Sequence, residues 1–164
     1  RWAALLGALG EADTRRVLKR LRCSNACIEE TAVLVRETAG EGVCRSFSKE
    51  KASVHPGDIH IRRLLGQYGL CTVERLCALC AALHPQNAPD CALAAQRARQ
   101  LDADGVCCRV SQLAVNGRDL MAAGIPAGPA LRRVLEALLD GVIRAEYPNE
   151  KPALLAAAQK IIAS

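Results

Sequence analysis

Leucine and alanine recur throughout this chain, whereas its aromatic residues number only four, Trp2, Phe47, Tyr68 and Tyr147, and clusters of β-branched residues are scarce. Sheets draw on β-branched and aromatic side chains to cover a pleated surface. Leucine and alanine lose little on entering a helix. The pattern therefore excludes a sandwich or barrel and predicts an all-α fold, a multi-helix body followed by a small helical tail. At 164 residues, 51% hydrophobic and 24% charged, the chain is long enough to bury the core of one or two domains. No run of about 18 apolar residues lacks a polar break, and no basic-then-apolar leader opens the chain. A soluble, cytoplasmic protein is expected. Helical periodicity starts at once after Arg1, the pattern of a segment belonging to a longer protein.

Nine cysteines invite a disulfide framework, but their number is odd and nothing points to secretion, so reduced thiols are the better reading. Cys77 and Cys80 form a C-x-x-C inside the apolar run 73–83, where helical spacing makes them small core residues rather than metal ligands. A zinc site would need a second pair, which Cys91, Cys107 and Cys108 do not supply. His55, His60 and His84 stand singly and are not catalytic candidates. Phosphate-loop, nucleophile-elbow and zinc-protease motifs are absent, as is a carboxylate cluster suited to magnesium. No catalytic or metal-binding residue is expected.

Periodicity predicts helices over Trp2–Gly10, Ala12–Arg22 and Asn25–Thr38, the last capped by Ser24 or Asn25. Residues 40–57 read as a loop or weak helix. Pro56-Gly57-Asp58 reads as a turn with Asp58 capping a helix over Ile59–Tyr68, which Gly69 ends. Helices over Thr72–Leu83 and Asp90–Leu101 flank a turn at Pro85–Pro89. Asp102-Ala103-Asp104-Gly105 divides a body, residues 1–101, from a tail, residues 102–164. The tail should hold helices over Gly117–Ala123, Pro129–Arg144 and Glu150–Ile162, with Asn149 capping the last.

Of the net charge of +5, the excess lies in residues 1–70, with twelve Lys or Arg against eight Asp or Glu; residues 71–164 carry ten against nine. Arg15, Arg16, Lys19, Arg20 and Arg22 give five bases in eight residues. At about 100° per residue they cover one arc of roughly 160° on a helix. Such a face repels itself unless solvent, counterions or a polyanion relieve it, and a phosphate backbone is a natural partner. The alternative is a solvated face partly neutralised by Glu29, Glu30 or Glu37. Arg62 with Arg63, and Arg132 with Arg133, form further basic pairs. Between Gly124 and Pro129 the chain offers backbone N–H groups and a helix N-terminus, to which Arg118 could be added; Gly128 there is an anion-binding candidate. A plain turn between two helices explains the same residues.

The stretch Leu113–Leu131, with its Gly-x-Asp-Leu at Gly117–Leu120, Gly124 and the Pro-x-Gly turn at Pro126–Gly128, resembles the tail of bacterial tRNA nucleotidyltransferases, the CCA-adding enzymes related to poly(A) polymerases. The likeness continues through Leu135, Leu138, Leu139 and Pro148-Asn149-Glu150 to Leu154 and Leu155. Upstream, residues 18–25 look like the family's connection after the neck, and Ile61–Leu65 with Tyr68-Gly69 fits the following body helix. The resemblance implies a tRNA-binding body and tail without the catalytic head, in which Mg²⁺, CTP and ATP are expected; the chain itself needs no cofactor and is inactive alone. It implies tRNA as partner, gripped at acceptor stem and elbow by the basic residues named above. Longer relatives carry a phosphohydrolase His-Asp after a Leu-Leu. Here Leu5-Leu6 is followed by Gly7-Ala8, so that activity is not expected. A helical protein-interaction module, such as a homodimer, is the competing reading.

Overall fold

The computed structural model describes residues 1–38 and 56–163, and every regular element among them is helical. In chain order the helices are α1 (Trp2–Leu6), α2 (Gly10–Arg20), α3 (Asn25–Thr38), α4 (Pro56–Tyr68), α5 (Leu70–Leu83), α6 (Ala88–Ala103), α7 (Gly117–Ala122), α8 (Pro129–Ile143) and α9 (Lys151–Ala163), with 3₁₀ turns at Gly7–Leu9, Pro85–Asn87 and Val110–Gln112. The chain divides into two compact units, Arg1–Ala103 and Asp104–Ser164. The loop-or-weak-helix expectation for residues 40–57 lies outside the described residues up to residue 55. From Pro56 onward the chain is helical, so Pro56-Gly57-Asp58 is not a turn.

In the first unit α2 lies against α3, α5 against α6, and α3 bridges to α1 and α5. Leu6, Leu18 and Ile28 are buried together, with Val17 and Cys23 against them. Thr14 is fully buried in this packing, and its hydroxyl donates to the Leu6 carbonyl at 3.5 Å. Cys77 and Cys80 lie in the core as their spacing implied. Among the described residues no group of three or more His, Cys, Asp or Glu is arranged to hold a metal ion.

Asp58 does not precede α4 but lies inside it. It is buried in the first turn and accepts from Arg97 Nε at 2.8 Å and Nη2 at 2.5 Å, joining α4 to α6. Two parallel N–H···O bonds match a carboxylate to a guanidinium. Glu74 likewise accepts from Arg99, and Glu30 pairs with Arg75, joining α5 to α6 and α3 to α5. Tyr68 closes α4 against α3: its hydroxyl donates to Glu37 at 2.7 Å and accepts from Arg36 at 2.5 Å. Burial, then the Glu37 carboxylate, pushes the Tyr68 phenol above its ordinary pKa. Gly69 ends α4 at φ +77°, a left-handed conformation that suits glycine, and its carbonyl starts the first hydrogen bond of α5.

The second unit is built around α8, against which α7, α9 and the Val110–Gln112 turn pack. Leu120, Val134, Leu138, Leu154 and Ala158 form its interior with Cys107, Leu113, Val115, Ile125 and Val142. Asn116 caps α7: its Oδ1 accepts from the Arg118 and Asp119 N–H groups, and Asp119 accepts from the Asn116 N–H at 3.0 Å. Asn149 does not cap α9, which begins two residues later. Its side chain instead accepts from the Ala114 N–H at 2.8 Å and donates to the Gln112 carbonyl at 2.9 Å, holding the 3₁₀ turn. No local signal in the sequence distinguishes these two uses of an asparagine.

Candidate nucleic-acid interface

Helix α2 stops at Arg20, two residues short of the end of the basic run, so the five bases do not share one helical arc. Leu21 closes the helix and Arg22 adopts the left-handed conformation at φ +56°. The Cys23 N–H bonds the Leu18 carbonyl at 3.1 Å and the Arg22 N–H bonds the Lys19 carbonyl at 3.0 Å. This pair of bonds defines a Schellman turn, accompanied by the apolar contact of Cys23 with Leu18. The usual occupant of the left-handed position is glycine; here it is an arginine.

Arg15 points back into the fold. It donates to Glu11 one turn earlier, at 3.0 and 3.2 Å, and to Glu29 on α3. The Glu29 hydrogen bond, then that of Glu11, raises the Arg15 pKa further above its ordinary value, and Arg15 pulls the Glu29 carboxyl below its own. Arg16 is exposed and meets Asp13 at 3.1 Å. Lys19, Arg20 and Arg22 are exposed, and none makes an ion pair with a described carboxylate. Arg16, Lys19 and Arg20, at i, i+3 and i+4, share one side of α2, and Arg22 follows at the turn. The structure thus separates an internally neutralised Arg15 from a solvent-facing group of four. Of the three carboxylates named as neutralising candidates, Glu29 reaches the run, bonding Arg15 and acting on Lys19 through space, while Asp13 meets Arg16.

Arg62, half-buried, and Arg63, exposed, lie on α4. In the second unit Arg118 is exposed in the first turn of α7, Arg132 is paired with Glu136 at 2.8 Å one turn on, and Arg133 is exposed. Gly128 immediately precedes α8 at φ +125°, with open space where a Cβ would stand. Gly117 lies against the same helix start, since a Cβ there would be 3.2 Å from Leu131 Cδ2. The start of α7 therefore lies against the Leu131 side chain in the first turn of α8. Gly124 ends α7 in a second Schellman turn, in which the Ile125 N–H bonds the Leu120 carbonyl at 3.1 Å and both side chains are buried. The turn reading of Gly124–Pro129 is thereby sufficient for its first half, and Gly128 is left facing solvent.

Lys151 was not singled out by charge density, yet it meets Asp119 at 2.6 Å and ties the first turn of α9 to that of α7. The Lys151 hydrogen bond, then the Asn116 N–H, holds the Asp119 carboxyl below its ordinary pKa. His60 is half-buried on α4, and burial lowers its pKa, favouring the neutral ring. Each unit thus presents exposed cations of its own, Arg16, Lys19, Arg20, Arg22 and Arg63 in the first and Arg118, Arg132 and Arg133 in the second.

An all-helical chain with its cations facing solvent is matched over residues 1–158 by the model of the family described as tRNA nucleotidyltransferase domain 2, putative. The chain belongs to that family. It is also 56% identical over 45 residues to a CCA-adding enzyme of Levilactobacillus brevis, a match covering 27% of this chain and 11% of that relative. The likeness spans only about a tenth of the curated relative's length. No solved structure matches. No helix among the described residues is long and apolar enough to cross a membrane.

Proposed function

We propose that this chain is the tRNA-gripping body and tail of a CCA-adding tRNA nucleotidyltransferase, holding the acceptor stem and elbow while a catalytic head outside it adds nucleotides to the 3′ end. The observation that supports this reading is the solvent-facing group Arg16, Lys19, Arg20 and Arg22, of which Lys19 acts on Glu29 only through space and Arg20 and Arg22 make no ion pair with a described carboxylate. Four aromatic residues in the whole chain offer little for base stacking, so recognition runs through the shape and phosphates of an A-form stem. Arg63 on α4, and Arg118, Arg133 and the Gly128 turn in the second unit, supply further phosphate contacts. Arg15, Arg62 and Arg132 play a supporting part. Holding a substrate in register lowers the entropic barrier of a reaction without contributing a reacting group. Magnesium, CTP and ATP belong to the head.

The test is a titration with unmodified tRNA and with a hairpin of equal length lacking the elbow, at several salt concentrations. Binding should favour tRNA, with log affinity falling by roughly 0.7 to 0.9 per contacted phosphate for each tenfold rise in salt. Reversing charge at Arg16, Lys19 and Arg20 together should flatten that slope. Equal affinity for both RNAs and an unchanged slope in the triple variant would remove the basic helix from the mechanism.

A further inference from the structure

Two carboxylates hold Arg15, and they differ in how firmly they are held themselves. Glu11, one turn earlier on α2, accepts from Nε at 3.2 Å and from Nη2 at 3.0 Å, while its other oxygen lies 3.8 Å from Arg36 Nη1 on α3. It is fixed between two guanidinium groups, and its side chain is 32% exposed. Glu29 accepts from the remaining nitrogen, Nη1, and its side chain is 64% exposed. Among the described residues that side chain hydrogen-bonds Arg15 alone. Arg15 also stands at the margin of the solvent-facing group: Lys19 is one turn from it on α2, and Arg16 is one turn from Lys19 and from Arg20. Glu29 therefore sets a carboxylate beside the surface to which the proposed function assigns RNA phosphates.

We infer that Arg15 is a further phosphate contact, for which Glu29 competes with RNA by occupying Nη1 in the free protein. This rests on the tRNA-gripping reading above. Carboxylate and phosphate oxygens are alike as acceptors for a guanidinium, so one can replace the other on the same N–H. An exposed ion pair is held weakly and contributes little to folding, so Glu29 can leave without loosening the junction of α2 and α3. Glu11 stays on the opposite edge of the guanidinium and keeps Arg15 aimed outward from α2. Glu29 thus limits how tightly α2 grips an RNA strand, and its removal hands Nη1 to the phosphate.

The test is a double-mutant cycle on the 164-residue chain, titrated with unmodified tRNA at several salt concentrations: the native chain, Glu29→Gln, Arg15→Gln and the two combined. Glu29→Gln should steepen the fall of log affinity with log salt by about 0.7 to 0.9, one phosphate contact, so that each tenfold drop in salt widens its lead over the native chain by about five- to eightfold. Glu29→Ala, which removes the carboxylate without leaving an amide in its place, should show the same gain. In the Arg15→Gln background, replacing Glu29 should leave the slope where it was, because the gain needs the guanidinium. An unchanged slope in Glu29→Gln and Glu29→Ala, or an equal gain with and without Arg15, would reduce Glu29 to general repulsion and overturn the inference. A native chain that binds tRNA without salt dependence, or not at all, would overturn the tRNA-gripping reading itself and this inference with it.

Discussion

Gly141 lies within α8, where glycine weakens a helix, and its replacement by alanine would ordinarily be an improvement. The structure reverses that expectation. A Cβ at Gly141 would stand 2.0 Å from Tyr147 Oη, 2.1 Å from Cζ and 2.7 Å from Cε1, so the ring lies on the bare backbone of α8. The Tyr147 hydroxyl donates to the Ala137 carbonyl at 3.2 Å, and the ring packs against the core of the second unit. Gly141→Ala must push the ring out. The lost hydrogen bond costs about 1 kcal/mol and the lost burial of a half-buried ring about 1 to 2 kcal/mol, against about 1 kcal/mol regained in helix propensity. The net expectation is a destabilisation of about 1 to 2 kcal/mol. Urea unfolding, with amide exchange of α8 and α9 to report the second unit specifically, measures it. The decisive comparison is the same substitution in a Tyr147→Ala background, where the obstacle is gone and Gly141→Ala should stabilise by about 0.5 to 1 kcal/mol. A neutral or stabilising effect in the native background, or a cost that persists without Tyr147, would refute the ring-on-glycine argument.

Other outcomes follow from the same geometry. Arg22→Gly should raise stability by about 1 kcal/mol, because glycine adopts the left-handed turn without the Cβ clash, while lowering the salt dependence of tRNA binding by about one phosphate contact; reduced stability would mean that the arginine side chain is held by contacts beyond the turn. Asn149→Ala should cost about 1 to 2 kcal/mol through two lost hydrogen bonds, seen as faster exchange at Ala114, whereas a helix cap would loosen the start of α9 instead. The Asp119 pKa is depressed in the folded state, so its contribution is present above the unfolded value of about 3.9 and is lost as pH falls through the lower folded value. Asp119→Asn should therefore flatten the acid limb of a pH-stability curve near pH 4 and below; an unchanged limb would show that the Lys151 contact carries no linkage.

Much of the fold was legible because helix signals are local. Leucine and alanine spacing, Gly69, Pro129 and the Asp102–Gly105 break each act over a few residues, and the helices lie where those signals put them. Errors arose where one local signal had two structural outcomes. Pro56 and Gly57 read as a turn, yet proline is tolerated in the first turn of a helix and both residues are helical. Asp58 and Asn149 are good caps by type, yet neither immediately precedes its helix, and both bond partners 39 and 35 or 37 residues away. Gly141 offered one hint, since an isolated glycine in a helical pattern often has a packing reason. Nothing in the sequence named Tyr147 as that reason.

By itself the sequence determined that the chain is helical, where most of its helices lie, and that its first half carries a dense basic run, because propensity, turn chemistry and charge count are properties of neighbouring residues. Only the tertiary structure decided which of those bases face solvent. Glu29 reaches Arg15 from the next helix, and the Schellman turn carries Arg22 off the helical face, whereas Arg16, Lys19 and Arg20 stay outward. The physical reason is that charge is counted along the chain, but neutralisation depends on distance in space, and that distance is set when α3 packs on α2.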